Sequence, residues 1–164
     1  CAHRAVVEVD VDLGLVRVVA LDAVQDVGRA INPTAIEGQV QGGSLQGLGI
    51  AFMEELIVEN GRRRNPSFTD YVIPTSVDAP PVMRVRILEC ADPGAPYGLR
   101  GIGEPPVISS VAAVAAAIRD ATGIDHTRVP IRAEDIVFSE PRDKKRSLEC
   151  VETAEEADVL TPSA

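Results

Sequence analysis

Aromatic side chains are scarce: they make up 3% of the 164 residues, and Trp is absent. A core must therefore be assembled from Val, Ile, Leu and Ala. Cysteine is scarce too. Cys1, Cys90 and Cys150 are odd in number and widely separated, which excludes a disulfide framework or cysteine metal cluster and suits a reducing cytoplasm. Basic charge is in deficit, with 16 Lys+Arg against 25 Asp+Glu and a formal net charge of −9. That balance argues against sequence-independent nucleic-acid binding and against a polybasic membrane patch. No uninterrupted apolar run of roughly 18–20 residues occurs, so no transmembrane helix is expected. There is no P-loop, nucleophile elbow or CxxC pair. His3 and His126 have no partner at metal-ligand spacing, so no metal-ligating residue is expected in this chain.

What remains has globular composition, 45% hydrophobic and 25% charged. A chain of about 150 residues buries roughly 68–70% of its unfolded surface, enough for a core. The opening Cys1-Ala2-His3-Arg4 lacks an initiator Met and a signal-peptide core. It runs at once into strand-like sequence, which predicts a chain that begins inside a larger protein.

Val7, Val9 and Val11 alternate with Glu8, Asp10 and Asp12, and Gly14 precedes a second Val/Leu-rich stretch from Leu15 to Val24. This predicts a β-hairpin with one buried face. Asn32-Pro33 reads as a helix N-cap followed by a first-turn proline. Ile36, Val40, Leu45, Leu48, Phe52 and Leu56 then carry helical spacing from Thr34 to Val58. Asn60-Gly61 signals a short hairpin, and Arg62-Arg63-Arg64 reads as its solvated turn rather than a phosphate site. Phe68 to Ile73 reads as an extended piece, and Val82 to Cys90 as a strand. A Gly/Pro-rich loop from Ala91 to Pro106 leads into an Ala-rich helix over Val107–Thr122, closed by Gly123. Thr127–Pro130 reads as extended and Ala133–Ile136 as a final turn. From Ser139 the text is charged and weakly patterned. The expected division is a domain over 1–138 and a disordered tail over 139–164. The fold class expected is α+β: mixed strands with one glycine-rich and one Ala-rich helix.

Two segments could carry chemistry. In Gly38-Gln39-Val40-Gln41-Gly42-Gly43-Ser44-Leu45-Gln46-Gly47, the glutamines Gln39 and Gln46 are seven apart and share a helix face. An amide between glycines offers donor and acceptor groups to a polar heterocycle lying close to the backbone. The plain alternative is a glycine-rich helix packed tightly on another helix. In Gly101-Ile102-Gly103-Glu104-Pro105-Pro106, a carboxylate follows a glycine-rich loop and precedes two stiffening prolines. A partly buried carboxylate there suits a general base; the alternative is an ordinary acidic residue at a helix N-terminus.

Four segments in order resemble the xanthine dehydrogenase/aldehyde oxidase family of molybdenum hydroxylases. They are Asp26-Val27-Gly28-Arg29-Ala30-Ile31-Asn32-Pro33, Glu37-Gly38-Gln39 through Gln46-Gly47-Leu48-Gly49, Phe68-Thr69-Asp70-Tyr71-Val72-Ile73-Pro74-Thr75, and Gly101-Ile102-Gly103-Glu104-Pro105-Pro106. The segments themselves run from Asp26 to Pro106, and the resemblance covers roughly residues 5–137. Pro96-Tyr97-Gly98-Leu99-Arg100 looks most like the molybdenum-binding subunits of bacterial xanthine dehydrogenases. The resemblance is to the C-terminal part of a much longer subunit. It implies an incomplete molybdopterin-binding domain that carries part of a site and is inactive alone.

The resemblance also implies roles. Glu104 corresponds to the catalytic base, which would take a proton from a hydroxide on molybdenum while hydride passes to a sulfido ligand. Gln39 and Ile102 correspond to cofactor-contacting positions, and Gly43 and Gln46 to further lining residues. Phe68–Tyr71 is expected to brace the active-site loop. The implied cofactor is molybdopterin, plain or as a cytosine dinucleotide, with FAD and 2Fe-2S clusters on partner subunits or domains. The implied partners are the remainder of the molybdenum subunit, iron–sulfur and FAD subunits, and a small-molecule substrate, with no nucleic acid and no membrane. The location expected is the cytoplasm. Xanthine or hypoxanthine is the leading substrate class; an aldehyde, another N-heterocycle or carbon monoxide is the alternative within the family. A non-catalytic assembly module is the alternative outside it.

Overall fold

A computed structural model describes residues 1–139. Of the tail expected over 139–164, all but Ser139 lies outside the described residues. The hairpin forms as its alternation predicts: β1 (Ala2–Asp10) pairs antiparallel with β2 (Leu15–Asp26), with a bulge opposite the Val6/Val7 step. His3, Ala5, Val7 and Val9 turn inward, and their neighbours along the strand face outward.

After β2 the chain enters α1 (Pro33–Phe52). The Asn32 Oδ1 accepts the Ala35 N–H at 3.1 Å, and Pro33 supplies a pre-set φ where no N–H is needed. The helix stops six residues short of the predicted Val58. The N–H groups of Met53 and Glu54 both turn onto the Gly49 carbonyl, at 2.7 and 2.8 Å. The Ala51 carbonyl receives the Ile131 N–H at 2.8 Å instead of continuing the helix. A two-residue hairpin follows, β3 (Val58–Glu59) with β4 (Arg62–Arg63), turning at Asn60-Gly61 as expected.

Phe68–Tyr71 is a turn rather than an extended piece. The Asp70 and Tyr71 N–H groups both donate to the Ser67 carbonyl, which curls the backbone. Strand β5 (Val82–Leu88) then pairs parallel with β2, completing a sheet of order β1-β2-β5. A single 3₁₀ turn at Pro96–Gly98 precedes α2 (Pro105–Thr122), which ends on left-handed Gly123. The stretch expected as extended at Thr127–Pro130 has no strand, and α3 (Ala133–Val137) is the final turn.

Helices α1 and α2 pack on each other and on the inner sheet face. Val18 and Leu21 from β2 meet Leu48 and Ala51 from α1, Val114 and Ile118 from α2, and Ile131 and Ile136 from the C-terminal segment. Full burial of each Val, Leu or Ile contributes about 1.5–3 kcal/mol, so this aliphatic cluster replaces the missing aromatics. The helices cross where glycine allows it. A Cβ on Gly47 would stand 1.8 Å from Ser110 Oγ, and one on Gly43 3.0 Å from Pro106 Cβ.

Candidate functional site

The C-terminal end of β2 builds a bracket. The Val27 N–H donates to the Leu88 carbonyl at 3.0 Å, and the Val27 carbonyl accepts the Arg100 N–H at 2.9 Å. The Asp26 Oδ1 accepts the N–H groups of Gly28 and Cys90, both at 3.0 Å. Its other oxygen stands 3.2 Å from an Arg100 guanidinium nitrogen. Those two backbone donors, aided by Arg100, hold the Asp26 carboxyl below its ordinary value of 3.8. Gly28 sits at φ +71°, and a Cβ there would fall 2.2 Å from the Gly98 carbonyl oxygen. Only glycine combines that backbone angle with that approach. The Asp26–Asn32 segment and the 98–103 loop are thus fastened together.

The amide of Gln39 supplies the second fastening. Its Nε2 donates to the Gly103 carbonyl at 2.8 Å, tying the second turn of α1 to the residue just before Glu104. Glu104 is the N-cap residue of α2; its carbonyl accepts the Val107 N–H at 2.9 Å, and its side chain makes no cap hydrogen bond. Pro105 and Pro106 follow, each with a ring-locked φ. Glu104 is exposed rather than partly buried. A Cβ on Gly101 or Gly103 would meet nothing within 4 Å, so the loop is open at both glycines.

Gln39 and Ile102 face a common concavity of about 480 Å³, together with Val27, Asn32, Ile36 and Leu99. Two other expected site residues lie elsewhere. Gly43 is buried beneath Pro106, where it serves the helix crossing. Gln46 is exposed two helical turns beyond Gln39 and lies outside the concavity wall. The glycines of α1 therefore divide. Gly43, Gly47 and Gly49 are close-packed, whereas a Cβ on Gly38 or Gly42 would meet open space. Tight packing on the second helix accounts for Gly43 and Gly47, which face α2.

In the sequence, Asp26, Gly28 and Arg100 stand out only as members of the segments that carry the resemblance. Their signal was an acidic residue and a glycine two apart, directly after a strand. Among the described residues, no group of three or more His, Cys, Asp or Glu side chains could hold a metal ion. The donor set suits a different ligand: the Gln39 amide, Asn32, Arg29, Arg100 and the backbone of Gly103 stand around a wall of Val27, Ile36, Leu99 and Ile102. A bulky polar heterocycle fits it, approaching bare backbone on one side and meeting Gln39 on the other.

Residues 1–80 match the model of the molybdopterin cofactor-binding domain. The chain is 40% identical to the nicotine 6-hydroxylase large subunit of Paenarthrobacter nicotinovorans, over 73% of this chain and 15% of that protein. It is 37% identical to the putative xanthine dehydrogenase molybdenum-binding subunit of Escherichia coli K12, over 76% of this chain and 17% of that protein. Among solved structures it resembles quinoline 2-oxidoreductase from Pseudomonas putida 86, with a TM-score of 0.78 and 38% identity, over 85% of this chain and 18% of that one. The chain thus spans less than a fifth of the length of these relatives. No helix among the described residues is long and apolar enough to cross a membrane.

Proposed function

Because the chain belongs to the xanthine dehydrogenase/aldehyde oxidase family of molybdenum hydroxylases, we propose that its full-length protein oxidatively hydroxylates a purine such as xanthine or hypoxanthine. The observation that carries this reading is the Gln39–Gly103 hydrogen bond. It sets the amide-bearing helix directly beside the loop that holds Ile102 and Glu104. Molybdopterin, when bound, supplies the redox chemistry. This chain supplies position and a proton acceptor.

With Nε2 committed to Gly103, the Gln39 amide offers its acceptor Oε1 to an N–H of the pterin. Ile102 provides apolar contact on the same wall. Glu104 takes the proton of the attacking nucleophile onto its carboxylate. The paired prolines behind it restrict the backbone from which that carboxylate projects. Iron–sulfur and FAD groups belong, in this reading, to partner subunits or domains.

In the full-length complex, Glu104→Gln is expected to lower turnover by about 10²–10⁴-fold at unchanged molybdenum content. Turnover within about tenfold of wild type would remove Glu104 from the role of base.

A second reading has its own support. The 40% identical relative is named for nicotine and the 38% identical structure for quinoline, so another N-heterocycle is the competing substrate class. Assay of the intact enzyme on xanthine, hypoxanthine, quinoline, an aldehyde and carbon monoxide decides between them. The purines are expected to show the highest kcat/KM; a higher value for quinoline would transfer the assignment to the second reading.

A further inference from the structure

His3 points inward from β1 and sits at the junction of the sheet with both helices. Its Nε2 lies 2.7 Å from Ser44 Oγ on α1, and its Nδ1 lies 2.8 Å from Ser109 Oγ on α2. Proton directions follow from the neighbours. Ser44 Oγ donates to the Val40 carbonyl at 2.6 Å, so its hydroxyl proton is committed. Nε2 must then be the N–H that donates to Ser44, and Nδ1 accepts the Ser109 hydroxyl. Every hydrogen-bonding position of a neutral imidazole is used, and burial holds the ring toward that neutral form.

The placement of the two serines is symmetrical about the candidate site. Ser44 lies five residues beyond Gln39 on α1, and Ser109 lies five residues beyond Glu104 on α2. At the near end the helices are joined by Gln39 and Gly103; at the far end they are joined through one imidazole. We propose that His3 is a positioning residue, a clamp between α1 and α2 that sets the separation of Gln39 from Glu104. The inference rests on the site reading given above.

A clamp of this kind has a different signature from a residue that merely stabilises the fold. A displacement of about 1 Å at the reacting groups can cost on the order of 10²-fold in rate. His3→Ala in the full-length complex is therefore expected to lower kcat by roughly tenfold, with KM little changed and molybdenum content intact. In the cofactor-free protein, amide hydrogen exchange is expected to quicken in residues 36–44 and 99–107 and to stay as in wild type across β2. His3→Gln, whose amide keeps one donor and one acceptor, is expected to restore most of both effects. Ser109→Ala removes one arm of the clamp and serves if His3→Ala does not assemble; the same readouts are expected at smaller size.

A kcat near wild type with unaltered exchange would overturn the proposal. So would a fall in kcat accompanied by uniformly faster exchange, which would make His3 an ordinary stabilising residue. Glu104→Gln measured alongside keeps the two ideas apart. If that variant retains turnover while His3→Ala still loosens the two segments, the base assignment fails and the clamp stands.

Discussion

Asp26 shows how a single surface carboxylate can govern a loop. It accepts two backbone N–H groups and faces Arg100, and these partners depress its titration below the ordinary 3.8. The unfolded chain therefore binds a proton here more readily than the folded one. Stability from this group is complete above the ordinary value and is lost as pH falls through the depressed one. Asp78 and Asp135 are depressed as well, so wild type alone gives a blurred acid transition. The difference between wild type and Asp26→Asn cancels their contributions. In denaturant titrations of the full-length protein, that difference is expected to be constant near neutrality and to close below the ordinary value. A gap that persists unchanged into strong acid would show that Asp26 does not hold the bracket through its charge.

At the scale of elements, local pattern determined what local forces control. Strands β1, β2 and β5 were legible because alternation is a direct record of which face is buried. The start of α1 was legible because Asn32 and Pro33 act within one turn of themselves. Its end was not legible, because Phe52 stops the helix only when Ile131, far along the chain, claims the Ala51 carbonyl. The turn at Phe68–Tyr71 was likewise hidden: its aromatic and β-branched letters favour strand, and the Ser67 carbonyl overrides them. The candidate site divides along the same line. Gln39 and Ile102 were reached by resemblance, and the structure sets them on one concavity. The bracket formed by Asp26, Gly28 and Arg100 depends on two segments about 70 residues apart in sequence, a separation no local pattern encodes. His3 read only as a histidine without a metal-ligand partner, and the packing of both helices over it reveals two hydroxyl partners.

The molecule as a whole leaves apolar surface uncovered. Within residues 56–77 alone, Leu56 and Val58 are 55% and 56% exposed, and Phe68 and Val77 are 81% and 90% exposed. Singly exposed aliphatics are ordinary, but several crowded into one short irregular stretch resemble a surface made to be covered. The sheet adds its own liability, since among the described residues β1 and β5 are both edge strands whose outer backbone groups have no strand partner. Residues 1–139 expressed alone are therefore expected to self-associate, giving a light-scattering mass well above the monomer that rises with concentration. Phe68→Glu with Val77→Glu places charge on two of the most exposed side chains without touching the core, the bracket or the helix crossing. This double variant is expected to raise the monomer fraction, because charge opposes burial of that surface between copies. A monodisperse monomer from the unaltered segment would show that the exposed side chains are no liability in water.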